Sequence, residues 1–174
     1  MTKYKEWLSN IVPVINKNDK VHLCVDFINL NLIAPKDAYA MTVVDMLEDS
    51  KVNNGILTFM DDCSRYNQIF ITKKDVHKIA FRCLNAIGIF EWVVMPFRLK
   101  NVGATYQRAM NMIFHHLIGR TMEVCTDDVV VKLAEFDQHL IDLEQAFKRM
   151  RLHNLKMNPE KCAFGITTDH FLGF

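Results

Sequence analysis

The sequence has almost no excess of either charge. Lys and Arg number 21 against 20 Asp and Glu, which gives a formal net charge of +1. A domain that binds nucleic acid through its overall charge is strongly basic, so any such surface on this chain must be local. Two basic clusters are candidates, although solvated faces explain them equally well: Lys73, Lys74, Lys78 and Arg82, and Lys148, Arg149, Arg151 and Lys156.

Signals for export, membrane insertion and zinc binding are also missing. Residues 1–7 are charged and lack the apolar segment of a signal peptide, and no apolar stretch approaches the length that spans a bilayer. The five cysteines include no C-x-x-C pair, and no His/Cys grouping has zinc-ligand spacing. We therefore predict reduced thiols in an intracellular protein that does not enter a membrane, with cytoplasm and nucleus both open.

The length sets the domain organisation. The chain has 174 residues, half of them apolar, which is enough for one domain with a sizeable core. Repeats, low-complexity tracts and linkers are absent from the sequence. We predict a single domain over residues 1–174.

The first feature that indicates chemistry is the carboxylate pair Asp127 and Asp128. It lies between the apolar runs 122–125 and 129–131, where a tight turn between two strands would place it. Like charges this close repel each other, so the pair favours a bound divalent cation, with Mg²⁺ the first candidate because it prefers carboxylate oxygen. A solvated Asp-Asp turn is the alternative, since Asp is common in turns for local hydrogen-bonding reasons.

A third carboxylate strengthens the metal hypothesis. The strand pattern over residues 55–60 ends directly on Asp61. Two strands far apart in sequence can lie side by side and bring Asp61 to Asp127 and Asp128. Two-metal phosphoryl transfer requires such a cluster, in which one ion activates the attacking oxygen and the other stabilises the leaving group.

The remaining pattern predicts an α+β fold. Helices would cover one face of a largely antiparallel sheet and leave the other face free for a ligand. Further strands are predicted at 21–27, 79–83 and 89–95, an irregular segment from 29 to 37, an extended segment over 66–72, and helices at 42–50, 104–117 and 135–154. Two apolar stripes should face the core: Tyr106, Met110, Ile113 and Leu117, and Phe136, Leu140, Leu143, Phe147 and Met150.

A series of motifs in order along nearly the whole chain resembles the reverse transcriptase of gypsy-type LTR retrotransposons, particularly plant forms. They are Cys24-Val25-Asp26-Phe27, Thr58-Phe59-Met60-Asp61, Met95-Pro96-Phe97, Leu99-Lys100-Asn101, Ala104-Thr105-Tyr106-Gln107-Arg108-Ala109-Met110, Asp127-Asp128, Leu155-Lys156-Met157-Asn158-Pro159-Glu160-Lys161-Cys162 and Phe171-Leu172-Gly173-Phe174. Together they are far more specific than the Asp pair alone.

The resemblance implies an RNA-directed DNA polymerase. The expected fold is a polymerase palm with partial fingers, essentially without a thumb, ending at the primer-grip segment. The expected cofactors are two Mg²⁺ ions, with Mn²⁺ as a possible substitute. The expected partners are an RNA or DNA template-primer and deoxynucleoside triphosphates. Thumb, RNase H and integrase would belong to other parts of a retrotransposon polyprotein.

The resemblance also implies roles for individual residues. Asp61, Asp127 and Asp128 fall on the catalytic, metal-binding carboxylates. Tyr66 falls on the aromatic that packs beneath the incoming sugar and excludes a 2′-hydroxyl, the group that distinguishes RNA from DNA. The other implied positions are Phe97 in the nucleotide pocket, Lys100 beside the template path, Gln107 and His22 in the nucleotide- and template-binding set, and Leu172 and Gly173 in the primer grip.

This chain departs from the family pattern at several of its sites. Cys125 replaces an aromatic residue, and His22 and Ile28 replace arginines, so a charged fork that grips phosphate is lost. Glycines, which allow close approach and unusual backbone angles, are usual where this chain has Asp62, Arg65 and Arg98. The alternative hypothesis is therefore a catalytically decayed remnant that at most binds nucleic acid or protein. A metal-dependent phosphotransferase on a doubly wound sheet would explain the Asp pair but not the other motifs.

Overall fold

The structure is a computed structural model that describes residues 7–15, 19, 21–40, 55–63, 65–83, 88–125, 128–133 and 136–167. In chain order its elements are β1 (Ser9–Ile15), β2 (Val21–Val25), α1 (Ile28–Ile33), β3 (Ile56–Asp61), β4 (Ala80–Arg82), β5 (Ile89–Glu91), α2 (Val102–Phe114), β6 (Met122–Cys125), β7 (Asp128–Leu133), α3 (Phe136–Leu152) and β8 (Ala163–Thr167). Short 3₁₀ turns occur at Arg65–Gln68, Val76–Ile79 and Pro159–Lys161.

The chain divides into two compact units. The first unit comprises residues 1–37 and 69–102, and the second unit comprises residues 38–68 and 103–174. Each unit has its own four-stranded sheet, in the order β2-β1-β4-β5 in the first and β6-β7-β3-β8 in the second.

The first unit is built around a small apolar cluster. Ile11, Val25, Phe27 and Ile79 are buried together, and partly buried apolar side chains pack around them. Strand β1 pairs antiparallel with β2 and parallel with β4, and β4 pairs antiparallel with β5. The predicted strands 21–27, 79–83 and 89–95 are confirmed as β2, β4 and β5, each shorter than predicted.

Two elements of the first unit differ from the sequence interpretation. The stretch from residue 29 onward was predicted to be irregular, but it forms α1, at whose start the Asp26 carboxylate accepts a hydrogen bond from the N–H of Ile28 at 2.9 Å. Strand β1 was not predicted. Only Ile11 of its seven residues is buried, so the strand lacks the alternation of apolar and polar residues that identifies a half-buried strand.

The second unit contains a fully antiparallel sheet and the two long helices. Strand β3 lies between β7 and β8, and β6 pairs with the outer edge of β7. The unit has a large buried core that includes Leu57, Met60, Tyr106, Met110, Phe114, Met122, Val129, Val130, Val131, Ala146 and Met150. This antiparallel sheet with packed helices confirms the predicted α+β class. The helix predicted at 42–50 lies outside the described residues.

The two predicted stripes had different outcomes. All four stripe residues of the first helix are buried, although the helix ends at Phe114 and Leu117 lies in the following turn. In α3 the buried positions are His139, Asp142, Ala146 and Met150, whereas Leu140 is 50% exposed. The buried face of α3 is therefore shifted by one residue at its N-terminal end, because the His139 ring is hydrogen-bonded to Thr58 of β3 at 2.8 Å.

Among the residues that the structure describes, no helix combines the length and apolarity needed to cross a membrane. The four cysteines whose side chains are described, Cys24, Cys63, Cys83 and Cys162, are all free thiols.

Candidate active site

The pairing of β3 with β7 brings two of the predicted catalytic positions together. Asp61 is the last residue of β3 and Asp128 the first residue of β7, and the antiparallel register places them directly opposite each other. Opposed residues on neighbouring strands have Cα atoms about 4.5–5.5 Å apart. The predicted meeting of these two distant strands is confirmed. Asp127 lies outside the described residues.

The local sequence explains why carboxylates lie at this edge of the sheet. In β3, Leu57 and Met60 are fully buried, and in β7 the run Val129–Val131 is almost fully buried. These apolar residues keep both strands in the core up to the pair that Asp61 and Asp128 form at the end of the ladder. The Asp61 side chain, at the end of β3, is 15% exposed to solvent. It is therefore accessible to a ligand from solvent.

Two basic side chains lie next to the Asp61 carboxylate. The Arg65 guanidinium is 3.4 Å from Asp61 Oδ2, and the Lys161 ammonium is 3.8 Å from the same oxygen. Sequence reasoning did not identify either residue as a partner of Asp61. The spacing of four residues between Asp61 and Arg65 was the only signal in the sequence.

The neighbouring Asp62 is an unusual buried acid. It is 2% exposed, and within the described part of the chain neither of its carboxylate oxygens has a hydrogen-bond partner. Burial, followed by the negative charge of Asp61, raises the pKa of Asp62 from 3.8 to about 7, although the Arg65 charge partly opposes this. Asp62 is thus a group whose charge the fold disfavours.

A backbone platform supports the Asp61 end of β3. The segment 156–158 runs alongside residues 61–63: the N–H of Asn158 donates to the Asp61 carbonyl at 2.9 Å, and the N–H of Cys63 donates to the Lys156 carbonyl at 3.0 Å. The Gln68 amide donates to the carbonyls of Lys156 and Cys63 and accepts from the N–H of Lys156. The segment predicted to be extended over 66–72 is therefore wrong at its start, because Gln68 bends the chain into the 3₁₀ turn.

We expect Gln68→Ala to lower the free energy of unfolding by about 1–3 kcal/mol, since backbone groups of Lys156 and Cys63 would lose their partner. Urea denaturation followed by circular dichroism measures the change. Gln145, an exposed glutamine of α3, provides the matched control, and its alanine variant should stay within about 0.5 kcal/mol of the parent. Equal effects of the two substitutions would show that the Gln68 bonds contribute nothing net.

The aromatic predicted to lie beneath the sugar is supported from inside the second unit. Tyr66 is partly buried, and its ring meets that of Tyr106 edge to face, with centroids 5.3 Å apart and an interplanar angle of 89°. Tyr106 itself is 1% exposed. Gln107, the next residue of α2, is fully buried and donates to the Val124 carbonyl of β6 at 3.1 Å. Gln107 thus links α2 to the strand that precedes the Asp pair.

Three other predicted site residues belong to the first unit. His22 is exposed on β2, and Phe97 is 50% exposed in the turn before Lys100. The Lys100 ammonium donates to the carbonyls of Ala34 and Asn31 at the end of α1, at 2.8 and 3.3 Å. Leu172 and Gly173 lie outside the described residues.

The donor set at the sheet edge suits a hard divalent cation. Within the described residues no three His, Cys, Asp or Glu side chains converge, and the side chains of Asp127 and Asp128 are not among those described. Asp61 nevertheless offers an accessible carboxylate beside the backbone of Asp128, and carboxylate oxygen is the ligand that Mg²⁺ prefers. Asp61 is therefore one carboxylate ligand of the kind that a hard divalent cation takes.

Comparisons with known proteins agree with this geometry. The family model "Reverse transcriptase (RNA-dependent DNA polymerase)" matches residues 9–174. The chain is 32% identical over 97% of its length to the retrovirus-related Pol polyprotein from transposon opus of Drosophila melanogaster, and spans 17% of that polyprotein. It is 27% identical over 95% of its length to the transposon Tf2-3 polyprotein of Schizosaccharomyces pombe, and spans 12% of it.

Solved structures show the same fold. The foamy viral protease-reverse transcriptase in complex with double-stranded DNA matches the whole chain with a TM-score of 0.83 at 20% identity, over 30% of its own length. The same viral protein in complex with an RNA/DNA hybrid matches 94% of the chain with a TM-score of 0.80 at 18% identity, over 22% of its own length. The fold is therefore that of a polymerase palm in a partial domain.

Proposed function

The chain belongs to the reverse transcriptase (RNA-dependent DNA polymerase) family, and we propose that it performs Mg²⁺-dependent nucleotidyl transfer to a primer 3′ end. The observation that carries this proposal is the register that sets Asp61 opposite Asp128 at the end of two buried strands. Asp61, Asp127 and Asp128 would hold two divalent ions, Mg²⁺ or in its place Mn²⁺. Metal bound there supplies the positive charge that activates the attacking oxygen and stabilises the leaving pyrophosphate.

The chain's own residues would bind and orient the substrates. Tyr66, supported by Tyr106, would pack beneath the incoming sugar and exclude a 2′-hydroxyl. Gln107 would position the site indirectly, because its buried amide holds α2 against β6. The remaining proposed contacts are Phe97 and His22 with the nucleotide, Lys100 with the template, and Leu172 and Gly173 with the primer end.

The proposed partners are an RNA or DNA template-primer and deoxynucleoside triphosphates. The similar foamy viral proteins, whose structures are in complex with double-stranded DNA and with an RNA/DNA hybrid, support the nucleic-acid partner. The retrotransposon polyproteins among the relatives support a place in a retrotransposon polyprotein. That this polyprotein is of the gypsy type found in plant elements is proposed from the motifs of the sequence. An intracellular location, in the cytoplasm or the nucleus, is proposed from the cysteine pattern of the sequence.

Extension of a DNA primer on an RNA template, with Mg²⁺ and deoxynucleoside triphosphates, tests the proposed activity. We expect incorporation by the parent chain and its loss in Asp61→Asn and Asp128→Asn, because each substitution removes a carboxylate that holds metal. Asp75→Asn is the matched control. Asp75 pairs with Lys78 in the first unit, at 2.7 Å, and its substitution should leave incorporation intact. Incorporation that persists in Asp61→Asn would contradict the proposal.

A second candidate function is a non-catalytic nucleic-acid-binding module. The observation that favours it is the placement of Arg65 and Lys161 at Asp61, which neutralises part of the carboxylate charge without metal. Template-primer binding that is equal in the parent and in Asp128→Asn, with no incorporation by either, would support this candidate. Ready incorporation by the parent would eliminate it.

A further inference from the structure

Two basic side chains approach the same oxygen of the Asp61 carboxylate. Arg65 and Lys161 both approach Oδ2, at 3.4 and 3.8 Å, and come from separate segments of the second unit. The Asp61 side chain is 15% exposed and the Arg65 side chain 31% exposed, whereas Lys161 is 60% exposed. The Arg65 pair is therefore the less screened of the two, and it contributes more to the electrostatics at Asp61.

The backbone holds Arg65 in this place. Its φ of 37° lies in the left-handed region that favours glycine, and Arg65 begins the 3₁₀ turn Arg65–Gln68. The Gln68 side chain closes that turn against Lys156, on the segment that also donates to the Asp61 carbonyl through Asn158. A side chain rooted in an anchored turn loses less conformational entropy when it pairs than one on a free loop.

Lys161 is anchored on the same platform. It ends the 3₁₀ turn Pro159–Lys161, whose first turn is capped by the Asn158 side chain accepting from the N–H of Glu160 at 3.2 Å. Asn158 is also the residue whose N–H donates to the Asp61 carbonyl. The positions of both cations are thus tied to the end of β3.

We propose that Arg65 and Lys161 compete with divalent metal for the Asp61 carboxylate, so that metal binds only as Arg65 is displaced. The proposal rests on the proposed function, because it requires Asp61 to be a metal ligand. A divalent ion that approaches Oδ2 meets a carboxylate already paired and two positive charges within 4 Å of the same oxygen. Both effects weaken metal binding, and removal of the Arg65 charge reduces both, although Lys161 remains 3.8 Å from the same oxygen.

Titration of the full chain with Mn²⁺, followed by the electron paramagnetic resonance signal of the free ion, tests this competition without any turnover. We expect Arg65→Gln and Arg65→Gly to bind Mn²⁺ about fivefold more tightly than the parent, the effect that a partly exposed ion pair of this kind supports. Arg65→Lys keeps the charge and should stay within about twofold of the parent. Lys161→Gln should show a smaller gain than Arg65→Gln, since Lys161 is further away and more exposed.

Arg98→Gly is the matched control. Arg98 also has a left-handed φ, of 73°, so replacing it with glycine removes the same charge and relieves the same kind of backbone angle as Arg65→Gly does. Arg98 belongs to the first unit, whereas Asp61 belongs to the second. We expect it to leave the Mn²⁺ affinity unchanged. An equal gain in Arg98→Gly and Arg65→Gly would overturn the proposal, because net charge or relief of backbone strain would then be the cause.

Asp61→Asn separates failure of this proposal from failure of the proposed function. If Asp61→Asn weakens Mn²⁺ binding but Arg65→Gln and Arg65→Gly leave it unchanged, the competition is overturned and the metal site stands. If Asp61→Asn binds Mn²⁺ as the parent does, Asp61 is not a ligand, and both proposals fail. Far-ultraviolet circular dichroism of each variant confirms that the compared chains are folded.

Discussion

Asp62→Asn should raise the free energy of unfolding at pH 8 by about 2–3 kcal/mol. The Asp62 carboxylate is 2% exposed and both of its oxygens lack a hydrogen-bond partner among the described residues. Its pKa rises from 3.8 to about 7, mainly through burial. Such a rise corresponds to as much as about 4 kcal/mol of destabilisation once the group is ionised. The amide that Asp62→Asn introduces would itself be buried without partners, which costs roughly 1–2 kcal/mol and reduces the net stabilisation to the expected value.

The sign of the pH dependence follows from the raised pKa. Between about pH 4 and pH 7 the folded state binds more protons at Asp62 than the unfolded state does, so this group's contribution to stability is full below pH 4 and decreases as the pH rises through 7. Urea denaturation of the parent at pH 5 and pH 8 should show this loss, and Asp62→Asn should show much less of it. Asp137→Asn, at an exposed position of α3, is the control and should keep the slope of the parent. An unchanged slope in Asp62→Asn would show that Asp62 is hydrated or paired in solution.

Tyr106→Ala should lower the free energy of unfolding by about 3–5 kcal/mol, the range for aromatic truncations in cores. The Tyr106 ring is 1% exposed in the core of the second unit. Its removal would open a cavity beneath Tyr66 and remove the edge-to-face contact at 5.3 Å. Pairs of this kind contribute about 0.5–1.5 kcal/mol beyond the area that they bury. Urea denaturation measures the total loss.

A double-mutant cycle isolates the contact between the two rings. Tyr66→Ala combined with Tyr106→Ala should lose less stability than the sum of the single variants, by about 0.5–1.5 kcal/mol. Tyr106→Phe keeps the ring and should cost less than about 1.5 kcal/mol. Additive losses in the cycle would mean that Tyr106 does not support Tyr66, and the proposed positioning of the sugar-binding aromatic would lose its structural basis.

Short-range patterns predicted most of the second unit. The run of valines after Asp128 and the mostly apolar segment that ends on Asp61 are short and lie next to turn signals, which is the pattern expected of buried strands. The stripe through Tyr106, Met110 and Ile113 repeats at helical spacing, and all three side chains are buried. Each of these predictions depends only on residues within one element.

The features that the sequence did not predict depend on contacts with residues that are distant in the sequence. Strand β1 exposes most of its residues and is held by pairing with the adjacent strand β2 and with β4, which is distant in the sequence. The 3₁₀ turn at residues 65–68 depends on the Gln68 amide reaching Lys156, 88 residues later. The shifted face of α3 depends on His139 bonding to Thr58, 81 residues earlier. Local patterns carry no information about such partners.

The sequence by itself determined the family and the fold class, and it supplied Asp61, Asp127 and Asp128 as the proposed catalytic carboxylates, because order and spacing of motifs are properties of the chain. The tertiary structure decided that Asp61 lies opposite Asp128 and that Arg65 and Lys161 converge on the Asp61 carboxylate. It also decided that Asp62 is buried with no hydrogen-bond partner among the described residues. Strand register, ion pairing and desolvation arise between residues that are distant in sequence or from packing around them. Electrostatic interactions at the site therefore exist only once the second unit has folded.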